Sequence, residues 1–310
     1  MISSFFAKTK PINYVVLLVF MGLFYCALLF FWERDVLGFK EIWLAIFTLA
    51  ILFLSVLVIN ELVRQNKVTA LSSFAMLFFV ALTIAFPQTL LDENAVLANF
   101  FILLAIKKLL EVKEAKNAKH KIFDATLLIC VASIFYKWSF VYMGAIVFAI
   151  NTFESKNFKT WLVLLLGMAT FFLLLWVVLI PFDNVGFLQT HYSFFTLEMD
   201  IEAILRKLGA KDIVFFAVIL LLAMIDFFKL RKKGGGRLIM IRNMLLFFTL
   251  AVILIFLESE EASPLLLSFF PAAVFMTNFI ETIGKKGLKE LSVNLFILTA
   301  FMVFLLENLV

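Results

Sequence analysis

The sequence predicts an all-α, polytopic integral membrane protein of about eleven transmembrane helices, N-terminus cytoplasmic and C-terminus external. Three observations predict it. Hydrophobic residues make up 64% of the chain and mean hydropathy is +1.08, against roughly 45–50% apolar in soluble domains. Polar interruptions cut the chain into apolar runs on the scale of a membrane crossing, which takes about 20 residues for a ~30 Å hydrocarbon core. Charge changes its bias from one interruption to the next. No polar block between the runs is large enough to fold alone, so residues 1–310 read as a single transmembrane domain.

The elements follow in order. Run 13–32 comes after Lys8 and Lys10, and no small-residue cleavage motif follows it, so it is expected to be retained. It stops at Glu33-Arg34-Asp35, and 42–60 turns straight back. Run 69–87 ends on Pro87, and 95–112 returns into a basic stretch from Lys107 to Lys121. Runs 123–136 and 139–152 are short for a full crossing. They are expected to form a helical hairpin whose tip, Tyr136-Lys137-Trp138, sits inside the outer half of the membrane. Run 161–181 opens the longest external loop, where Met199 to Leu208 reads as an amphipathic surface helix with Ile201, Ile204 and Leu205 on one face. The remaining runs are 213–229, 243–257, 265–281 and 290–307, with the basic turn LRKKGGGRL at 230–238.

With the N-terminus inside, 21 of the 27 basic residues fall on cytoplasmic segments; only Arg34, Lys40, Lys137, Arg206, Lys207 and Lys211 fall outside. Of the 22 acids, 14 lie outside, which is the positive-inside pattern. The basic residues are thereby explained without a nucleic-acid partner. Phosphate-cradling glycine loops, Cys/His metal spacings and serine-nucleophile motifs are missing, so neither a cofactor nor a metal is expected. Cys26 and Cys130 sit in apolar runs as small hydrophobes.

Ionisable residues within spans are costly and often functional. Asp226, with Lys229 three residues on, reads as an interfacial ion pair. Asp124, close to Lys121, suits the positive end of its helix. Lys137 reads either as a lysine snorkelling in an aromatic belt or as a phosphate-binding point charge. His191 and Tyr192, in the long loop, read as loop packing or as catalytic groups. Glu33 and Asp35 are either the acidic rim of a helix or a general base for an acceptor hydroxyl. Arg34 beside them could hold a phosphate bidentately.

In that order these parts resemble the GT-C class of multi-span glycosyltransferases, over about residues 13–200. The class places a catalytic acid just after the first span, matched by Asp35 with Glu33 as the second choice. It then has an acid leading an apolar helix, as in PQTLLDENAVLANFFILLAIKKLLE (87–111), a basic cytoplasmic turn, and a short hairpin whose tip lysine is associated with the lipid phosphate. Here that tip is IFYKWSF (134–140), with Lys137 in the lysine position but no glycine-proline. A span ending in proline plus an aromatic, opening an aromatic loop, is matched by WVVLIPFDNVGFLQTHYSFF (176–195). The chain lacks the paired Asp-Glu of the protein mannosyltransferases. The resemblance implies a GT-C-like core at 13–212, additional C-terminal helices at 213–310, and location in the cell inner membrane. As a whole, with MISSFFAKTKPIN, LANFFILLAIKKLLE and KIFDA, the chain also resembles an uncharacterised bacterial family of integral membrane proteins.

The expectation is therefore transfer of a sugar from a polyprenyl-phosphate donor to an acceptor on the external face. Asp35 and Glu33 are catalytic; Arg34, Lys137, His191 and Tyr192 bind substrate. Two other classes stand beside it: a non-catalytic subunit or scaffold of an envelope complex with other membrane partners, and a transporter or flippase. Few central charges would line a transport path.

Overall fold

Helix boundaries fall where proline, glycine and small polar residues punctuate the apolar runs. The computed structural model describes residues 2–32, 38–66, 68–70, 72–112, 118–154, 157–193, 209–231, 236–257 and 264–309, and all their regular structure is helical. The helices are α1 (Ile2–Phe6), α2 (Pro11–Trp32), α3 (Phe39–Gln65), α4 (Phe74–Ala85), α5 (Gln88–Leu91), α6 (Glu93–Glu111), α7 (Ala118–Phe135), α8 (Met143–Phe153), α9 (Phe158–Leu179), α10 (Gly186–His191), α11 (Ala210–Arg231), α12 (Gly236–Leu257), α13 (Leu266–Thr282) and α14 (Lys286–Leu309). Pro11 starts α2 at the position where a missing N–H costs nothing.

Among the described residues, five helices are long and apolar enough to cross a membrane: Pro11–Phe30, Phe39–Gln65, Phe158–Phe182, Leu238–Leu257 and Lys286–Leu305. The others are shorter or carry more charge. Run 69–87, for example, yields only the 12 residues of α4, because Phe86 and Pro87 end the helix early. The hairpin arms are unequal. Lys119, His120 and Lys121 extend α7 to 18 residues, whereas α8 has 11. The expected surface helix at 199–208 and the glycines at 234–235 lie outside the described residues.

Burial inverts the usual amphipathic rule. Every residue of α4 is buried, as is nearly all of α13, so these two apolar helices form the centre. Around them α9 and α14 turn leucines and valines outward, among them Leu165, Leu173, Val178, Leu291 and Leu298. Exposed apolar side chains on apolar helices are what a lipid environment selects.

Polar bonds tie the bundle at both ends and fix its directions. At one end Lys107 pairs with Glu61 at 2.6 Å, Lys108 with Asp124 at 3.2 Å, and Lys121 with Glu111. Asp124 thus keeps a structural role through Lys108, and Lys121 is taken by Glu111. Glu281 accepts from the Ala70 amide and the Ser72 hydroxyl, both at 2.7 Å, at the same end. Asp226 is only 3% exposed, and the Lys229 ammonium reaches Thr282 at 3.4 Å. At the opposite end the C-terminus of α7 meets the N-terminus of α6, so the two helices run antiparallel.

Candidate functional site

That opposite end is built on the break between α4 and α6. Pro87 cannot continue α4, α5 makes one turn, and Asp92 takes an extended conformation (φ −81°, ψ 94°) as the N-cap of α6. Its Oδ1 accepts from the Ala95 amide at 3.0 Å, the usual way an Asp satisfies a free N–H at a helix start. Its Oδ2 accepts from the Tyr136 hydroxyl. Tyr136 is 5% exposed and packs on Ala95 and Ala98, whose small side chains let the ring reach the carboxylate.

Tyr136 is extended (φ −129°, ψ 106°) and ends α7; a 3-10 turn from Lys137 to Tyr142 leads into α8. The tip is therefore pinned by its tyrosine, with Lys137 next to the pin. The Lys137 side chain is half-buried, and its ammonium has no hydrogen bond or ion pair among the described residues. Ser139 is fully buried, and its hydroxyl likewise has no partner among them.

A second contact set closes over the same hairpin. His191 Nε2 lies 2.8 Å from the Ser133 carbonyl oxygen, and the Tyr192 hydroxyl 3.1 Å from the Ser133 hydroxyl. His191 stacks on Phe187 at 4.7 Å between centroids, while Tyr192 packs against Phe140 at 5.7 Å and Phe172 at 5.5 Å. Burial pushes the Tyr192 phenol above its ordinary range, and the bond to Ser133 opposes that without reversing it. So His191 and Tyr192 dock α10 onto the hairpin that carries Lys137.

On the other side of the α5–α6 break lies a cavity of about 180 Å³. Tyr25 and Leu29 of α2, Glu41 and Leu44 of α3, and Leu91 and Glu93 line it. It sits between the end of α2 and the start of α3. Glu33, Arg34 and Asp35, which connect these helices in sequence, lie outside the described residues. Adjacent residues Asp92 and Glu93 thus look two ways, one to the hairpin pin and one into the cavity. Glu41 and the Asp92–Tyr136 bond were not singled out from the sequence, whereas Asp92 and Glu93 are the acids that lead the helix in the 87–111 stretch. An Asp before an apolar run is a legible cap signal, but its partner 44 residues later is not. Among the described residues no group of three or more His, Cys, Asp and Glu is placed to hold a metal ion.

The fold and site define a class: an all-α membrane protein with a polar layer of carboxylates, phenols and a lysine at one end of an apolar bundle. Within that class the chain belongs to the family described as Family of unknown function (DUF6427), whose model matches residues 8–309. No curated protein and no solved structure matches it.

Proposed function

We propose that this protein is a GT-C-like glycosyltransferase of the inner membrane, with eleven spans and its N-terminus inside, moving a sugar from a polyprenyl-phosphate donor to an acceptor at the external face. The observation that carries the reading is a cavity lined by two carboxylates, Glu41 and Glu93, at the same end of the bundle as the pinned hairpin lysine, Lys137. Glycosyl transfer needs this combination. A carboxylate takes the acceptor's O–H proton as that oxygen bonds to the anomeric carbon. The bond from that carbon to the phosphate oxygen breaks, and its electron pair leaves with the polyprenyl phosphate. A half-buried lysine offsets the charge growing on the phosphate.

In this reading Asp35 is the base with Glu33 assisting, Arg34 and Lys137 hold the donor phosphate, and Glu41 and Glu93 orient the acceptor. His191 and Tyr192 contact sugar or acceptor from the face of the hairpin they already touch. A strain lacking the gene, complemented with Asp35→Asn or Lys137→Gln, is expected to lose one glycolipid or glycan species while membrane levels of the protein stay unchanged. Unaltered glycan profiles in both variants, at normal expression, would sink the assignment.

A scaffold role in an envelope complex is the second reading, and one observation favours it. Only 17% of the α9 span is buried, and its outward surface is apolar on nearly every side. A stoichiometric partner retained in mild detergent, together with tolerance of both substitutions, would favour it.

A further inference from the structure

The N-terminal residues are strapped across the end of the bundle that carries the ion pairs. Glu290 of α14 accepts from the Ile2 amide at 2.6 Å, from the Ser3 amide at 3.0 Å and from the Ser3 hydroxyl. The Ser73 amide, at the start of α4, donates to the Phe6 carbonyl at 2.9 Å. The Asn13 side chain closes the turn after α1 by donating to the Lys8 carbonyl at 2.7 Å and to the Ser73 hydroxyl at 3.1 Å. Residues 2–13 therefore lie against the N-terminal ends of α4 and α14.

The strap brings lysines from two distant parts of the chain to one corner. Lys8 and Lys10 follow α1, and Lys285 and Lys286 precede Glu290 by about one helical turn. All four are exposed, and their ammonium groups have no hydrogen bond or ion pair among the described residues. Lys289, close by, rests its ammonium 5.1 Å from the centre of the Phe74 ring. The acids beside them in sequence are already engaged, Glu290 by α1 and Glu281 by Ala70 and Ser72. The corner thus differs from α6 and α7, where Lys107, Lys108 and Lys121 each have a carboxylate. Nor does α14 itself call for these lysines, since positive charge in or before a first turn opposes the helix dipole.

The corner is not purely polar. Ile2 and Phe5 are 40% and 38% exposed on α1, and Leu288 is 53% exposed among the lysines of α14. A Cβ at Gly284 or Gly287 would meet nothing within 4 Å, so the ground around Lys285 and Lys286 is open. Lysines standing beside exposed apolar side chains suit the boundary between headgroups and hydrocarbon, where the stem is buried and the ammonium reaches outward.

We infer that Lys8, Lys10, Lys285 and Lys286 bind the phosphate headgroups of anionic phospholipid in the leaflet at the α1 end of the bundle. Four unpaired cations select an anion. The apolar side chains among them select one held at a membrane surface over one in free solution. A second copy of this chain in a two-fold contact would set lysine against lysine. The inference does not depend on glycosyl transfer, and binding is its readout.

The test uses the full chain in phosphatidylcholine liposomes carrying a minor share of phosphatidylglycerol or phosphatidylcholine with a photoactivatable diazirine near the glycerol, followed by mass-spectrometric mapping. Labelling of α9 normalises for bulk lipid contact. Phosphatidylglycerol is expected to label the stretches 2–10 and 284–290 in preference to phosphatidylcholine. Lys8→Gln or Lys285→Gln should each lower that preference about fivefold, the weight of one lysine near an anionic surface. Lys40→Gln, exposed at the start of α3, should leave it unchanged. Salt at about 1 M, where the screening length falls to about 3 Å, should erase it. Equal labelling by the two lipids in the unaltered protein, or an equal loss in Lys40→Gln, overturns the inference. So does loss of the preference on adding inorganic phosphate at constant ionic strength, which would make the ligand a soluble phosphate. Retention of a stoichiometric acidic protein that Lys8→Gln releases would give the corner to a protein partner and overturn it as well.

Discussion

Removing the Tyr136 hydroxyl tests whether the hairpin tip is pinned to the α6 cap. In Tyr136→Phe the Asp92 carboxylate keeps its bond from Ala95 and loses the one from the phenol. A hydrogen bond to a charged group is worth about 1.5–3 kcal/mol. Asp92→Ala loses that bond and the helix cap as well, and a cap adds about 1 kcal/mol. The expected loss is therefore about 2.5–4 kcal/mol. Asp92→Asn keeps a good cap and trades a charged bond for a neutral one, so it should cost the least. In the double variant Asp92→Ala/Tyr136→Phe the shared bond is lost only once, giving a coupling of about 1.5–3 kcal/mol. The assay is denaturant unfolding of the detergent-solubilised protein, followed by tryptophan fluorescence, with the slope checked for constancy. Additive single effects, with coupling under about 0.5 kcal/mol, would refute the pin.

Two further outcomes follow from packing and burial. A Cβ at Gly167 would lie 2.9 Å from Thr126 Cγ2 and 3.0 Å from its Cβ, where α9 meets α7. Gly167→Ala should therefore cost about 1–3 kcal/mol, and Thr126→Ser should restore part of it; a neutral Gly167→Ala in the same unfolding assay contradicts this close approach. The Tyr192 phenol, raised above its ordinary 10.0 chiefly by burial, should ionise only above that pH in an ultraviolet titration against Tyr192→Phe. Because the folded state holds this proton more tightly than the unfolded one, its stabilisation is full below about pH 10 and is lost as pH rises through the folded value. Phenolate absorbance assigned to Tyr192 at or below pH 10 would contradict the burial.

Legibility in the sequence followed sequence distance. Pro11, Pro87 and Asp92 act on the residues beside them, so helix starts and breaks could be read directly, as could the lysine at the hairpin tip. Composition alone could not distinguish α4, which is buried along its whole length, from α9, which is mostly exposed, because both are uniformly apolar and in a membrane the outside is apolar too. The site shows the same limit. His191 and Tyr192 could be picked as loop residues, but their common partner Ser133 lies 58 and 59 residues away. Glu41 and Glu93 gain meaning only when α2, α3 and the α5–α6 break enclose one cavity.

The pairing of α4 with α13 at the centre also governs how the protein is made. α13 begins about 180 residues after α4 ends, and at synthesis rates of about 5–20 residues per second the second helix emerges roughly 10–40 s after the first. During that interval α4 has no permanent neighbour on the side α13 will occupy, and its 12 residues are too few to match a bilayer unaided. The nascent chain must therefore wait half-assembled until the stretch from Leu266 onward arrives. A stop before Leu266 removes the middle of the bundle rather than trimming its edge.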